Sequence, residues 1–245
     1  MITFTETTVF NTSAQTVVNT VNCVGVMGAG IALEFRLRYP EMFQDYAIRC
    51  KKGAVMIGRP YLYRDSKSPW IMNFPTKKHW KNPSRIDWIE SGLNYFTVNY
   101  KKANISSIAF SQLGCGKGNL DWHEVKPVME KYLADIEIPV YICLDTESKA
   151  SGLEGDMVEI INRFDQIAMT SELSLKPSIA AKITTSLPVM RFREIAQIEG
   201  VGKQTYEQVF CKVYQIAQEK QQLTSTINVA SMKLPSIQLP LDLFL

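Results

Sequence analysis

The chain has 245 residues, of which 46% are hydrophobic and 21% charged, with a formal net charge of +3. That length holds one large core or a domain with an appendage, and the balance is that of an ordinary globular chain, with no apolar run of membrane length. Five scattered cysteines, Cys23, Cys50, Cys115, Cys143 and Cys211, without Cys-x-x-Cys spacing, argue against disulfides and against a zinc site. Met1-Ile2-Thr3-Phe4-Thr5 lacks the basic start and apolar core of a signal peptide and reads as the first strand of a cytoplasmic protein. Further strand signals occur at 16–21, 61–63, 70–74, 107–110 and 140–144, and helical periodicity at 31–46, interrupted at Tyr39-Pro40, and at 86–99 and 122–133. Alternating strands and helices predict an α/β sandwich with a mostly parallel sheet. Residues 1–155 carry 18 Lys and Arg against 15 Asp and Glu, whereas the remainder balances nine against nine, so any basic face lies on the first part.

Two stretches stand out. Val17, Val18 and Val21 form a short apolar run that stops at Gly25-Val26-Met27-Gly28-Ala29-Gly30, and the helix signal begins at Ile31. Glycines between a strand and a helix N-terminus suit an anion, because unpaired N–H groups and the helix dipole converge there, although a tight turn needs the same residues. The second stretch repeats the arrangement: 107–110 runs into Ser111-Gln112-Leu113-Gly114-Cys115-Gly116-Lys117-Gly118, after which Asp121 can cap a helix from Trp122. Two such units predict two cradles for one diphosphate at the carboxyl ends of the strands.

Asn19-Thr20-Val21-Asn22, 25–32, Asn73-Phe74-Pro75-Thr76-Lys77-Lys78-His79-Trp80 and 113–122, in that order, closely resemble the macrodomain of DarG-type DNA ADP-ribosyl glycohydrolases, over about residues 1–145. The resemblance implies a three-layer macrodomain sandwich at 1–150 that removes ADP-ribose from thymidine-type adducts in DNA, as an antitoxin or a repair enzyme. It implies as ligands ADP-ribose and ADP-ribosylated DNA, as a partner a DNA ADP-ribosyltransferase toxin, and no cofactor, metal or membrane. The ligand-binding set it carries over is Asn22, Gly25, Val26, Met27, Gly28, Ala29, Gly30 and Ile31 in the first loop, with Ser111, Leu113, Gly114, Cys115, Gly116, Lys117 and Gly118 in the second. A reader that binds ADP-ribose without turnover, or a hydrolase of protein-linked ADP-ribose, are the alternatives.

Lys77 lies in a window from Trp70 to Arg85 that holds Lys77, Lys78, Lys81 and Arg85 and no acid. By resemblance Lys77 reaches the distal ribose and is the catalytic residue, either as a nucleophile on an opened sugar or as a cation that stabilises the departing group. A nucleophilic amine needs a lowered pKa, for which Lys78 is a plausible cause. Asn22 matches the distal-ribose asparagine of the family; a turn residue capping the strand end is its other reading. Cys115, flanked by glycines, reads as packing rather than as a nucleophile. His79 and Trp80 beside Lys78 and Lys81 offer a stacking surface next to charge, suited to single-stranded DNA, or else Trp80 covers the core edge. Trp88 reads as core, on the apolar period of its helix. Two departures from the family matter. Thr7-Thr8 stands where macrodomains carry an adenine-binding Gly-Asp or Gly-Asn pair, and Gly118 stands where protein-directed relatives carry an Asp that resolves the lysine adduct.

Beyond Leu144 the composition shifts, and a small helical appendage is expected over 156–220, with Val158, Ile161, Phe164 and Ile167 on one face and shorter helices at 179–183, 190–198 and 205–218. Ile198-Glu199-Gly200-Val201-Gly202 between two helices reads either as a helix C-cap or as the phosphate-gripping hairpin of a helix-hairpin-helix module. Residues 221–237 are polar without a convincing period. The flexible tail 221–245 then ends on Gln238-Leu239-Pro240-Leu241-Asp242-Leu243-Phe244-Leu245, which resembles the peptides that bind the bacterial sliding clamp, with Gln238, Leu241, Leu243 and Phe244 as anchors.

Overall fold

A computed structural model describes residues 1–64 and 69–232, with side chains to residue 224. Two compact units divide it, Met1–Ser151 and Gly152–Leu245.

The first unit carries a six-stranded sheet of β1 (Ile2–Thr5), β2 (Thr16–Asn22), β3 (Tyr61–Tyr63), β4 (Trp70–Lys77), β5 (Ile108–Ser111) and β6 (Val140–Cys143), in the order β1-β6-β5-β2-β4-β3. Each neighbouring pair is parallel except β3 with β4. Successive side chains of a strand point to opposite faces, and β2 uses both. Val18 packs with Met72, Phe74, Leu93, Phe96, Val125 and Met129 in one layer. Val17 and Val21 pack with Phe35, Met42 and Tyr46 in the other. The first layer is covered by α3 (Ile86–Asn99) and α4 (Trp122–Leu133), the second by α1 (Gly30–Arg38) and α2 (Pro40–Lys51). The expected three-layer sandwich is formed.

Two buried asparagines inside the sheet bond to each other. Asn19 and Asn73 stand opposite each other in the β2–β4 register, and Asn19 Nδ2 donates to Asn73 Oδ1 at 2.9 Å. Asn73 Nδ2 in turn reaches Met42 Sδ at 3.5 Å, which ties the central strands to α2. The periodic stretch 31–46 is two helices, not one. Proline at the first position of α2 supplies no N–H to continue α1, and it holds Tyr39 out of the helical region at φ −131° and ψ 70°. Past Tyr46, α2 runs on to Lys51.

The second unit is helical: α5 (Gly152–Arg163), α6 (Gln166–Ser171), α7 (Pro177–Thr185), a 3-10 turn at Phe192–Gln197, and α8 (Lys203–Met232). Met157, Ile161, Met169, Ile183, Phe192, Val209, Phe210 and Val213 are buried in it. Arg191 and Glu154 are buried together as a two-bond pair, Nε to Oε1 at 3.0 Å and Nη2 to Oε2 at 2.9 Å, and Glu154 Oε1 also accepts the Phe192 N–H at 3.0 Å. Three expectations are corrected here. Ile167 does not share the α5 face: Asp165 accepts the Ala168 N–H at 2.7 Å, caps a new helix, and leaves Ile167 77% exposed. Within 190–198 the chain forms the 3-10 turn Phe192–Gln197 rather than an α-helix. The aperiodic stretch from Gln221 continues α8 as far as Met232. Gly200, at φ +86°, lies in the turn between the 3-10 turn and α8, with Lys182 Nζ 2.8 Å from where a Cβ would sit. Gln238, Leu241, Leu243 and Phe244 lie outside the described residues. No helix among the described residues is long and apolar enough to cross a membrane.

Candidate active site

Both glycine loops leave the carboxyl ends of parallel strands, the first from β2 into α1 and the second from β5 toward α4. Asn22, the last residue of β2 and 6% exposed, organises the first loop. Its Oδ1 accepts the N–H groups of Val24 at 3.0 Å and Val26 at 3.3 Å, while its Nδ2 donates to the Val26 carbonyl at 2.5 Å. The turn reading of Asn22 therefore describes its amide in this structure: it closes the loop on itself. Gly25 takes φ +82° and Gly30 φ +57°, the left-handed region that glycine enters without steric cost. Met27 is buried, whereas Val24 and Val26 are exposed on the loop.

The second loop is tighter. Leu120 N–H bonds to the Gly114 carbonyl at 3.1 Å, Asn119 N–H to Gly116 at 3.2 Å, and Ser84 N–H to the Gly118 carbonyl at 2.9 Å. A Cβ on Gly118 would lie 2.0 Å from the Gly114 oxygen and 2.6 Å from Ser84 Oγ, so this position admits glycine alone. At Gly116 nothing comes within 4 Å of a Cβ, and that part of the loop is open. Leu113 is buried in the core. Cys115 packs against the same core, and burial, then the charge of Asp121, pushes its thiol up to about 11, the wrong direction for a nucleophile. Its packing role is consistent with that. Asp121 Oδ1 accepts the His123 N–H at 2.8 Å and caps α4.

Lys77 ends β4 between the two loops. Its ammonium donates to the main-chain carbonyl of Lys117. The stem of Lys117 also meets the first loop, with Cγ 3.4 Å from a Cβ placed on Gly30. The strand order puts β2 between β5 and β4, which brings both loops and the lysine to one end of the sheet. Burial holds the Lys77 pKa below the ordinary lysine value. Lys78 is not the cause: its Nζ lies over the Trp88 ring, 5.6 Å from the centroid. Trp88 is thus a half-buried platform for Lys78 and for Arg85, whose Cζ is 5.5 Å from the same centroid, rather than a core residue alone.

Beside Lys77 lies an aromatic ledge. Trp80 is 48% exposed, so it does not merely seal the core edge. His79 stacks on it at 5.6 Å between centroids, and Lys81 Nζ sits 5.2 Å over its ring. At the other end of the row of strands, Thr7 lies where β1 meets β6: Asp145 N–H bonds to the Thr7 carbonyl at 3.3 Å, and Thr7 Oγ1 is buried without a partner. Two residues escaped the sequence reading. Tyr46, from α2, is fully buried and bonds to Asn22, and Ser84 lies under the second loop. Tyr46 has the spacing of a core residue from Met42, and Ser84 no pattern at all.

A family model described as the macro domain matches residues 18–129. A DNA ADP-ribosyl transferase-DNA ADP-ribosyl glycohydrolase fusion protein of Thermosipho africanus is 40% identical over 162 residues, 59% of this chain and 42% of its own length. A DNA ADP-ribosyl glycohydrolase of Mycobacterium tuberculosis is 40% identical over 161 residues, 63% of this chain and 46% of its own length. The chain thus spans less than half the length of these curated relatives. Among solved structures, the macrodomain of Mycobacterium tuberculosis DarG is similar at a TM-score of 0.57 and 40% identity, over 58% of this chain and 97% of that one. The macrodomain of Thermus aquaticus DarG follows at 0.56 and 38%, over 59% and 98%. The four motifs, the sheet order and these likenesses agree, and the chain belongs to the macrodomain family, in the group of the DarG macrodomains.

Proposed function

We propose that the first unit hydrolyses the bond between ADP-ribose and a base of DNA. The observation that carries the reading is the junction at Lys117, where both glycine loops and the amine of Lys77 meet. A diphosphate seated between the loops brings its distal ribose to Lys77. Relatives named DNA ADP-ribosyl glycohydrolases, and a structure of Thermosipho africanus DarTG in complex with ADP-ribose, support the same substrate.

Lys77 acts as an ammonium. It already donates a hydrogen bond in the resting site, and as a cation beside the anomeric carbon it favours departure of the base while water supplies the new bond. The ledge of Trp80, His79, Lys81 and Lys78 favours DNA over protein, because flat rings beside cations hold a single strand by stacking and phosphate contact. The closed Gly118 position excludes a carboxylate there and favours, as the second reading, a domain that holds ADP-ribose without turnover.

Release separates the two. Thymidine-linked ADP-ribose on a short oligonucleotide and ADP-ribose on protein are each incubated with the chain. Release from DNA alone supports the hydrolase; binding without release from either supports the reader.

Two partners follow from the same reading. The fusion relative joins transferase and hydrolase, which supports a DNA ADP-ribosyltransferase as the opposing enzyme, in the cytoplasm where DNA lies. The Gln238, Leu241, Leu243 and Phe244 tail fits the sliding clamp, with leucines and Phe for an apolar groove and Gln for a polar notch. Calorimetry of the 234–245 peptide against the clamp tests it, and no heat would dismiss that partner.

A further inference from the structure

Tyr46 is 0% exposed, so it touches no ligand in the cleft, yet its hydroxyl lies at the root of the first loop. The oxygen is 2.8 Å from the main-chain carbonyl of Asn22 and 3.1 Å from Asn22 Oδ1, and its one proton is shared between them. Asn22 then holds Val24 and Val26, and the Cys23 N–H goes to the Lys78 carbonyl at 3.3 Å. The N–H groups of Cys23, Val24 and Val26 are therefore taken up inside the protein, two of the three through Asn22. Among the described residues, the N–H groups of Met27, Gly28, Ala29 and Gly30 have no protein acceptor. The loop has a closed half that shapes it and an open half that is left for an anion.

We propose that Tyr46 is a positioning residue for the diphosphate: by holding Asn22 it sets the spacing of the open N–H groups, and so the affinity for ADP-ribose. The inference rests on the reading of the site given above. Removing the hydroxyl frees the carbonyl and the side-chain oxygen of Asn22 together, which loosens the hold of that oxygen on the Val24 and Val26 N–H groups. The ring still fills its place in the core, so Tyr46→Phe folds. Its effect falls on binding, because Lys77 stands on another strand.

The full chain with Tyr46→Phe is compared with wild type and with Tyr61→Phe, another tyrosine of the same core layer, which bonds no residue of the loop among those described. Expected for Tyr46→Phe is an ADP-ribose Kd raised about tenfold, with kcat on saturating ADP-ribosylated oligonucleotide within about twofold and faster amide exchange at Val24 to Val26. Tyr61→Phe loses a hydroxyl from the same layer without moving either readout. An unchanged Kd, or unchanged exchange at Val24 to Val26, overturns the proposal. Should wild type itself fail to bind ADP-ribose, the functional reading falls instead, and the exchange rates alone decide whether Tyr46 holds the loop.

Discussion

The ammonium of Lys77, at the end of β4, donates to the main-chain carbonyl of Lys117 in the second glycine loop. On the proposed reading, this contact joins the lysine to the phosphate cradle, and the two do different work. Lys77→Ala abolishes release of ADP-ribose, whereas affinity for free ADP-ribose stays within about tenfold, or about 1.4 kcal/mol, because phosphate is held by backbone N–H groups. Full turnover by the variant in a single-turnover release assay would falsify the assignment at its central residue.

The pH dependence separates the two chemical roles of Lys77. Burial lowers its pKa, so the amine loses its proton below the ordinary lysine value. As an ammonium it is active while protonated: release is full below that pKa and falls as pH rises through it. A Schiff-base nucleophile needs the neutral amine, and its rate would climb over the same interval. A rising alkaline limb, together with trapping of a protein–sugar adduct by borohydride, would replace the cation role.

Gly116 and Gly118, two residues apart, respond in opposite ways. A side chain at Gly116 enters open space, so Gly116→Glu leaves the fold intact and blocks ADP-ribose by putting volume and negative charge into the cradle. Gly118→Ala forces a Cβ onto the Gly114 carbonyl and costs roughly 1–3 kcal/mol of overpacking. Thermal melting with and without ADP-ribose reads both. Equal stability loss in the two variants would show that the loop relaxes and that Gly118 is not imposed by its shape.

Glu154→Ala is the strongest destabilising change expected in the helical unit. It removes the Glu154 carboxylate from the Nε and Nη2 of Arg191 and from the Phe192 N–H, in a place where neither residue reaches water. Removing one partner of a buried ion pair costs about 3–5 kcal/mol. Urea unfolding measures the loss; a variant within 1 kcal/mol of wild type, the margin of an exposed pair, would show that Arg191 finds another partner.

What could be read in advance was local. The 86–99 and 122–133 helices carry an unbroken apolar period, the second with Asp121 at its cap, and both fall where the period puts them. Both glycine loops stood between a strand signal and a helix signal. The extension of α8 from Gln221 was hidden because that stretch shows no apolar period. Tyr46 was hidden for another reason: a residue that packs its ring in a core and spends its hydroxyl on Asn22 looks, in one dimension, like any apolar-face aromatic. Lys78 was read as a neighbour of Lys77 in sequence, but alternation along the chain carries it away to Trp88.

Trp80 offers the sharpest test of the DNA reading. It is exposed beside Lys77, with His79 stacked on it and Lys81 above its ring, so a base next to the modified one can lie on it. Stacking of one base contributes about 1–3 kcal/mol. Trp80→Ala should therefore raise KM for an ADP-ribosylated oligonucleotide by at least fivefold, about 1 kcal/mol, with kcat nearly unchanged. An ADP-ribosylated mononucleoside has no neighbouring base, and its KM should not move. If Lys78 and Lys81 contact the DNA phosphates as proposed, added salt should weaken the oligonucleotide further, in variant and wild type alike. If Trp80→Ala changes the two substrates equally, the ring serves the ADP-ribose itself or the fold, and the DNA strand takes another path across the domain.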